Sequence, residues 1–328
     1  MTKPSYTPPA AILEKYANLI VEFRLQNRKG DAPKPGAVVH FMVPEAARPL
    51  YFYLERAILK HGFHPLGEYQ PSSDETYNFE SNFYEHASSE QRTFDPQLAK
   101  KGVVDQADCV IRIFADTLPH GLKKIPAEKI LERRRAQKKS IDYKWKKIED
   151  DKLYWTLALY GTEAMAKEAN MSLKAYWQQI INACYLDTKN PTKEWFKIND
   201  TVQGVAKRLT DMKIQCLHWL GEDVDMTVGL GSNRVWLAGG GNNIPSFEVF
   251  TSPNWREVDG WIRFNQPLYV FGSMIEGIEL WFEKGVVVKS KASKNHKLLR
   301  QIIETTGGNH LGEVSLTDKR LSRITKFM

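Results

Sequence analysis

The sequence predicts an α/β protein: an N-terminal α/β domain with a parallel sheet flanked by helices, followed by a mixed α+β domain. Three observations carry this. Residues 37–69 read as strand, helix, strand; helix-spaced and strand-like segments alternate up to about residue 200; beyond Gln215 the patterning turns strand-like. At a soft prior of about 150 residues per domain, the 328 residues suggest two, drawn as 1–210 and 211–328.

Ala10–Arg24 places Ile12, Leu13, Tyr16, Leu19, Ile20 and Phe23 at helical spacing and is expected as an amphipathic helix. Pro33, Pro35 and Gly36 then break the chain before Ala37–Val43, a short β-branched run that reads as a buried strand. Glu45–His61 reads as a helix ending at Gly62, and Phe63–Tyr69 as the returning strand. Such a β-α-β unit favours a right-handed crossover and hence parallel pairing. Tyr69–Gln91 is expected as a polar loop, Cys109–Phe114 as the next strand, and one basic helix from Pro126 to about Lys147. Helices follow at Glu163–Ala169, Leu173–Cys184 (capped by Ser172) and Lys193–Leu209. In the second half Asp225–Leu230, Arg234–Leu237, Trp261–Phe264, Gly277–Phe282 and Val286–Ser290 are strand-like, the last two flanking a hairpin loop, Glu283-Lys284-Gly285. A helix over Ala292–Glu304 is expected to end at Gly307-Gly308.

Composition narrows the function classes. With 42% apolar and 11% aromatic residues the chain is too hydrophobic for global disorder, and no repeat at solenoid spacing is present. The net charge of +7 is concentrated: residues 123–152 hold twelve basic and six acidic side chains. Those positives, with Tyr143 and Trp145, could meet a nucleic acid, but the interleaved acids and the apolar Ile125, Ile130, Leu131, Ile141 and Ile148 read better as a solvated helix with a packing face. The cysteines Cys109, Cys184 and Cys216 are too widely spaced for a metal knuckle or a disulfide framework. With no apolar leader and no membrane-length apolar run, a soluble cytoplasmic protein is expected.

The Gly-rich runs Gly229-Leu230-Gly231 and Gly239-Gly240-Gly241 lack the Lys-Ser/Thr ending of a phosphate loop and read as turns. None of the eight histidines stands in a His-Glu-x-x-His pair; His310 and Glu313 are three apart, but the flanking sequence argues for a turn feeding a strand. No Gly-x-Ser-x-Gly elbow occurs. Two glutamates stand out: Glu248 in Phe247-Glu248-Val249-Phe250-Thr251-Ser252-Pro253, and Glu313 in Leu311-Gly312-Glu313-Val314. A carboxylate among apolar residues needs a cation or several donors once buried. A metal, a salt bridge or backbone N–H groups would each serve.

The run Asp225-Met226-Thr227-Val228-Gly229-Leu230-Gly231, then Arg234, Trp236, Asn243-Ile244-Pro245 and Glu248 to Pro253, resembles the M29 metallo-aminopeptidases, the aminopeptidase T and aminopeptidase S group. The same order continues through Gly260, Pro267-Leu268-Tyr269, Gly277-Ile278, Gly285-Val286-Val287 and Leu311-Gly312-Glu313-Val314, while Ile12–Val43 and Tyr160–Asp187 look like the family's N-terminal domain. The resemblance implies two divalent metal ions (zinc, cobalt or manganese), peptide substrates cleaved after the N-terminal residue, a homodimer, and Glu248 and Glu313 as metal ligands, with Glu313 between the metals. The family's other ligands follow the second glutamate: a His in a His-x-Ala-x-Gly-like strand, a Tyr and a His-x-Asp pair. This sequence stops fifteen residues after Glu313 and contains no His-x-Asp. It therefore resembles a C-terminally truncated member with an incomplete metal-binding domain, whose activity is expected to be impaired. The alternatives are a non-catalytic scaffold or binding module of the same fold, and a nucleic-acid-binding protein working through residues 123–152.

Overall fold

The computed structural model describes residues 4–26 and 33–326, so the first three residues of the Pro-rich lead and the last two of the chain lie outside the described residues. Two compact units form: residues 1–198 with 240–246 and 319–328, and residues 199–239 with 247–318.

The first unit opens with α1 (Ala10–Gln26), whose Leu13, Tyr16, Leu19, Ile20 and Phe23 are fully buried. Each such side chain contributes roughly 1.5–3 kcal/mol. There follow β1 (Val38–Pro44), a short 3-10 turn at Glu45–Ala47, α2 (Arg48–Lys60, with Pro in its first turn) and β2 (His64–Gln70). β1 and β2 run parallel, with Val39 beside Pro65 and Met42 beside Glu68, so the β-α-β unit is present.

The expected loop over Tyr69–Gln91 is in part helical, with α3 at Phe79–His86 and α4 at Ser89–Thr93, and α5 follows at Gln97–Gln106. The local cause is capping. The Asn78 side chain accepts the Ser81 N–H, and Ser88 and Gln91 form a reciprocal capping box. These helices are too short to show apolar periodicity. After β3 (Cys109–Phe114), the expected single basic helix breaks at Gln137 into α6 (Ala127–Ala136) and α7 (Lys138–Glu149). The two halves serve different partners: Glu132 on α6 binds Arg92 of α4 at 2.6 Å, whereas Lys147 on α7 donates to Val104 and Ala107 carbonyls at the end of α5, at 2.7 Å each.

β4 (Tyr154–Leu159), not foreseen in the sequence, alternates buried and half-buried residues beside β3. α8 (Glu163–Glu168), α9 (Leu173–Ala183) and α10 (Pro191–Asp211) follow, with Ser172 capping α9 through the Ala175 N–H. The strand Asn243–Ile244 completes a five-stranded parallel sheet in the order β2-β1-β3-β4 and then 243–244. Tyr16 of α1 donates its hydroxyl to the Leu159 carbonyl at 2.9 Å, and Arg24 donates to that of Trp155 at 2.6 Å.

The second unit is mostly antiparallel. β5 (Cys216–Gly221), β6 (Val224–Gly229) and β7 (Leu237–Ala238) precede the first unit's strand Asn243–Ile244, which is β8. Next come β9 (Glu248–Thr251), β10 (Val258–Arg263), β11 (Leu268–Val270), β12 (Ser273–Ile275), β13 (Glu279–Glu283) and β14 (Val286–Lys291). α11 (His296–Ile303) and β15 (Val314–Thr317) close it. One sheet is ordered β14-β13-β10-β6-β5, and another β15-β9-β7. The β13–β14 hairpin turns through Lys284 and Gly285, at φ +48° and +82°. Of the expected strand Arg234–Leu237 only Leu237 is strand, because Arg234 is turned aside to the Leu230 and Pro253 carbonyls at 3.2 and 3.1 Å. The expected helix from Ala292 starts at His296 instead, since Ser293 and Lys294 are held to the Glu276 carbonyl.

Candidate metal centre

β9 is the middle strand of its sheet, flanked by β15 and β7. Val249 and Thr251 point into the core while Glu248 and Phe250 take the half-buried face, so strand periodicity alone turns the Glu248 carboxylate away from the packed side. Pairing with β15 sets Glu248 opposite Thr317 and Thr251 opposite Val314. Glu313 lies one residue ahead of β15, just outside the paired register.

The Glu313 carboxyl senses the charge of Glu248. Partial desolvation raises the Glu313 carboxyl above the usual carboxylate range, and the like charge of Glu248 pushes it further in the same direction. Glu248 is half-buried and Glu313 is exposed, so burial among apolar side chains, expected for both acids, does not hold for Glu313. The register explains this: Glu313 precedes the first paired residue of β15.

The landmarks around the two acids have structural work. Thr251, 2% exposed, donates its hydroxyl to the Val235 carbonyl at 2.9 Å, and the Trp236 N–H donates to Thr210 Oγ1 at 2.9 Å. Gly260 and Gly285 hold φ +115° and +82°, where a Cβ would run into the backbone at Asp225 and Trp255 respectively. The Gly239–Gly241 run is a turn with Gly240 and Gly241 at φ +55° and +85°, and Thr156 Oγ1 donates to the Gly241 carbonyl at 2.7 Å.

The histidines of the second unit find other partners. His310 Nδ1 lies 2.8 Å from the Gly285 carbonyl with its ring 4.3 Å from that of Trp255, His218 pairs with Asp225 at 2.8 Å, and His296 meets Ser290 at 3.1 Å. His310 therefore does not join Glu313. Among the described residues no group of three or more His, Cys, Asp or Glu side chains is placed to hold a metal ion. Carboxylates suit a hard divalent cation, but two of them fall short of the donors a catalytic pair of ions requires.

Part of the basic stretch 123–152 is engaged in packing and pairing. Lys138 meets Asp142 at 2.6 Å, Lys146 and Lys152 each reach Asp150 at 3.7 Å, and Arg133 lies 3.9 Å from the Phe83 ring centre. No helix among the described residues is long and apolar enough to cross a membrane.

Residues 10–328 match the family described as thermophilic metalloprotease (M29). Aminopeptidase AmpS of Bacillus subtilis is 27% identical over 93% of this chain and 76% of its own length. Aminopeptidase T of Thermus aquaticus is 28% identical over 60% of this chain and 52% of its own, so the match spans about half of that relative. The solved structure of wild-type AmpT from Thermus thermophilus superposes with a TM-score of 0.77 at 24% identity, covering 93% of this chain and 78% of that one, and shows the same fold.

Proposed function

Because this chain belongs to the M29 family of metalloproteases, we propose that it is a metal-dependent aminopeptidase acting on the N-terminal residue of peptides, with Glu248 and Glu313 as two of its metal ligands. The relatives named as aminopeptidases support the activity. One observation carries the site: Glu248 lies on β9, Glu313 immediately precedes the strand β15 paired with it, and the Glu248 charge helps to raise the Glu313 carboxyl. Bringing like charges together costs free energy in the metal-free chain, and a cation between them reverses that sign.

In this reading residues 211–328 form the metal-binding part and residues 1–210 the N-terminal α/β part, acting in the cytoplasm as a homodimer. Two divalent ions, zinc, cobalt or manganese, would supply a water activated for attack on the peptide carbonyl. The chain's own contribution is to hold Glu248 on a central strand whose opposite face is locked into the core.

Calorimetric titration of the purified chain with zinc, cobalt and manganese, beside a leucine p-nitroanilide assay, tests this. Binding should weaken at least tenfold in both Glu248→Gln and Glu313→Gln. Unchanged metal affinity in the two variants would overturn the ligand assignment. Absence of any metal-dependent hydrolysis would favour a scaffold without catalysis.

A further inference from the structure

The antiparallel ladder of β9 and β15 closes on one pair: Glu248, the first residue of β9, stands directly opposite Thr317, the last of β15. Residues directly opposite in such a ladder project to the same face, with Cβ atoms roughly 4.5–5.5 Å apart. Thr317 therefore stands beside the Glu248 carboxylate, on the face shared with Phe250 and Ser315. Val249, Thr251 and Val314 are buried on the opposite face.

Few polar groups reach Glu248 along this ladder. On the β7 side Leu237 stands opposite Phe250, so that strand supplies an apolar neighbour. Ser315 also stands opposite Phe250 and is diagonal to Glu248, at roughly 7–8 Å. Of the two β15 hydroxyls on this face, Thr317 is thus the nearer. Among the described residues neither the Thr317 hydroxyl nor the Glu248 carboxylate makes a hydrogen bond. The Thr251 hydroxyl on the same sheet is by contrast spent on the Val235 carbonyl.

A carboxylate that ligates an ion through one oxygen leaves the other to accept a hydrogen bond, and donors placed there fix the ligand's orientation. An O–H···O⁻ bond spans about 2.5–2.7 Å, so a hydroxyl on the opposite Cβ reaches a glutamate carboxylate by side-chain rotation alone. Branching at Cβ restricts the threonine rotamer, which suits a fixed donor. We propose that Thr317 is a positioning residue for the metal site: its hydroxyl donates to the Glu248 carboxylate and turns the other carboxylate oxygen toward the ion. This rests on the reading of Glu248 as a metal ligand, and Thr317 itself touches neither ion nor substrate.

Calorimetric titration of the full chain with zinc tests it. Thr317→Val should weaken binding about tenfold with the metal-free melting temperature unchanged, and Thr317→Ser should restore the affinity. Ser315→Ala, which removes the diagonal hydroxyl, should bind as the wild type does. In a Glu248→Gln background Thr317→Val should have no further effect. Undiminished affinity in Thr317→Val, equal weakening in Ser315→Ala, or a full Thr317→Val effect without the Glu248 carboxylate would each overturn the proposal. Should the wild-type chain bind no zinc, the ligand reading fails by itself, and the pair is judged in the metal-free chain by ¹³C NMR. There the Glu248 carboxyl resonance should move in Thr317→Val and stay in place in Ser315→Ala; a resonance unmoved in Thr317→Val would overturn the proposed hydrogen bond.

Discussion

The buried hydroxyl of Thr251 donates to the carbonyl of Val235 at 2.9 Å, tying the middle strand of the three-stranded sheet to the loop ahead of β7. The bond lies on the core face of the strand that presents Glu248 on its other face. Thr251→Val keeps the shape and removes the donor, a loss of roughly 0.5–1.5 kcal/mol for one net hydrogen bond. Thr251→Ser should recover most of that. A midpoint that falls in Thr251→Ser but not in Thr251→Val would show that packing of the methyl group, not the hydrogen bond, is what matters.

Two glycines among the family landmarks should separate by mechanism. Gly285 combines φ +82° with a backbone contact at Trp255 that admits no Cβ, whereas Gly231 at φ +78° has nothing within 4 Å. Gly231→Ala therefore meets only the left-handed backbone penalty, about 1 kcal/mol. Gly285→Ala must also displace the chain at Trp255–Arg256 and should cost at least ~3 kcal/mol. Circular-dichroism melting of both variants checks the ranking; equal losses would contradict it.

What the sequence made legible follows from the period of each pattern. The buried parallel strands at Val38–Pro44 and Cys109–Phe114 and the long helices α1, α9 and α10 have runs long enough to display their periodicity. β4 was hidden because Tyr154-Trp155-Thr156-Leu157-Ala158-Leu159 is a short apolar segment next to a helix, and α3 and α4 because caps rather than apolar spacing define them. The split at Gln137 was invisible for another reason: it depends on which neighbours Glu132 and Lys147 reach, and that is tertiary information. At the site, resemblance singled out Glu248 and Glu313. Their approach depends on the pairing of β9 with β15, which no local pattern encodes.

His40 provides a pH-dependent test. Its ring is 8% exposed on β1, with Nε2 3.1 Å from Glu68. Burial lowers its pKa from the usual 6.5, the Lys144 ammonium acts in the same direction, and Glu68 opposes both. The unfolded chain thus binds this proton more readily than the folded one. Stability is therefore lost as pH falls from just above 6.5 through the lower folded value, below which both states are protonated. His40→Gln should flatten that loss, read as the difference between variant and wild type so that the other histidines cancel. A difference that does not change between pH 7.5 and 5 would contradict this sign.

Metal ions should reveal the Glu248 and Glu313 pair through stability as well as affinity. A ligand that binds only the folded chain adds ~2.7 kcal/mol at a hundred times its Kd, so zinc should raise the melting temperature and a chelator should return it to the metal-free value. Mutual repulsion of the two carboxylates predicts something less usual for the metal-free chain. Neutralising either acid should leave its stability unchanged or raise it by a few tenths of a kcal/mol, because the groups lie at a partly solvated face. Glu248→Gln and Glu313→Gln should therefore combine an undiminished metal-free melting temperature with loss of the zinc-induced rise. If either variant melts well below the wild type without metal, its carboxylate is bound up in holding the fold and the ligand role is undercut; if the zinc-induced rise survives in both, the ion sits elsewhere.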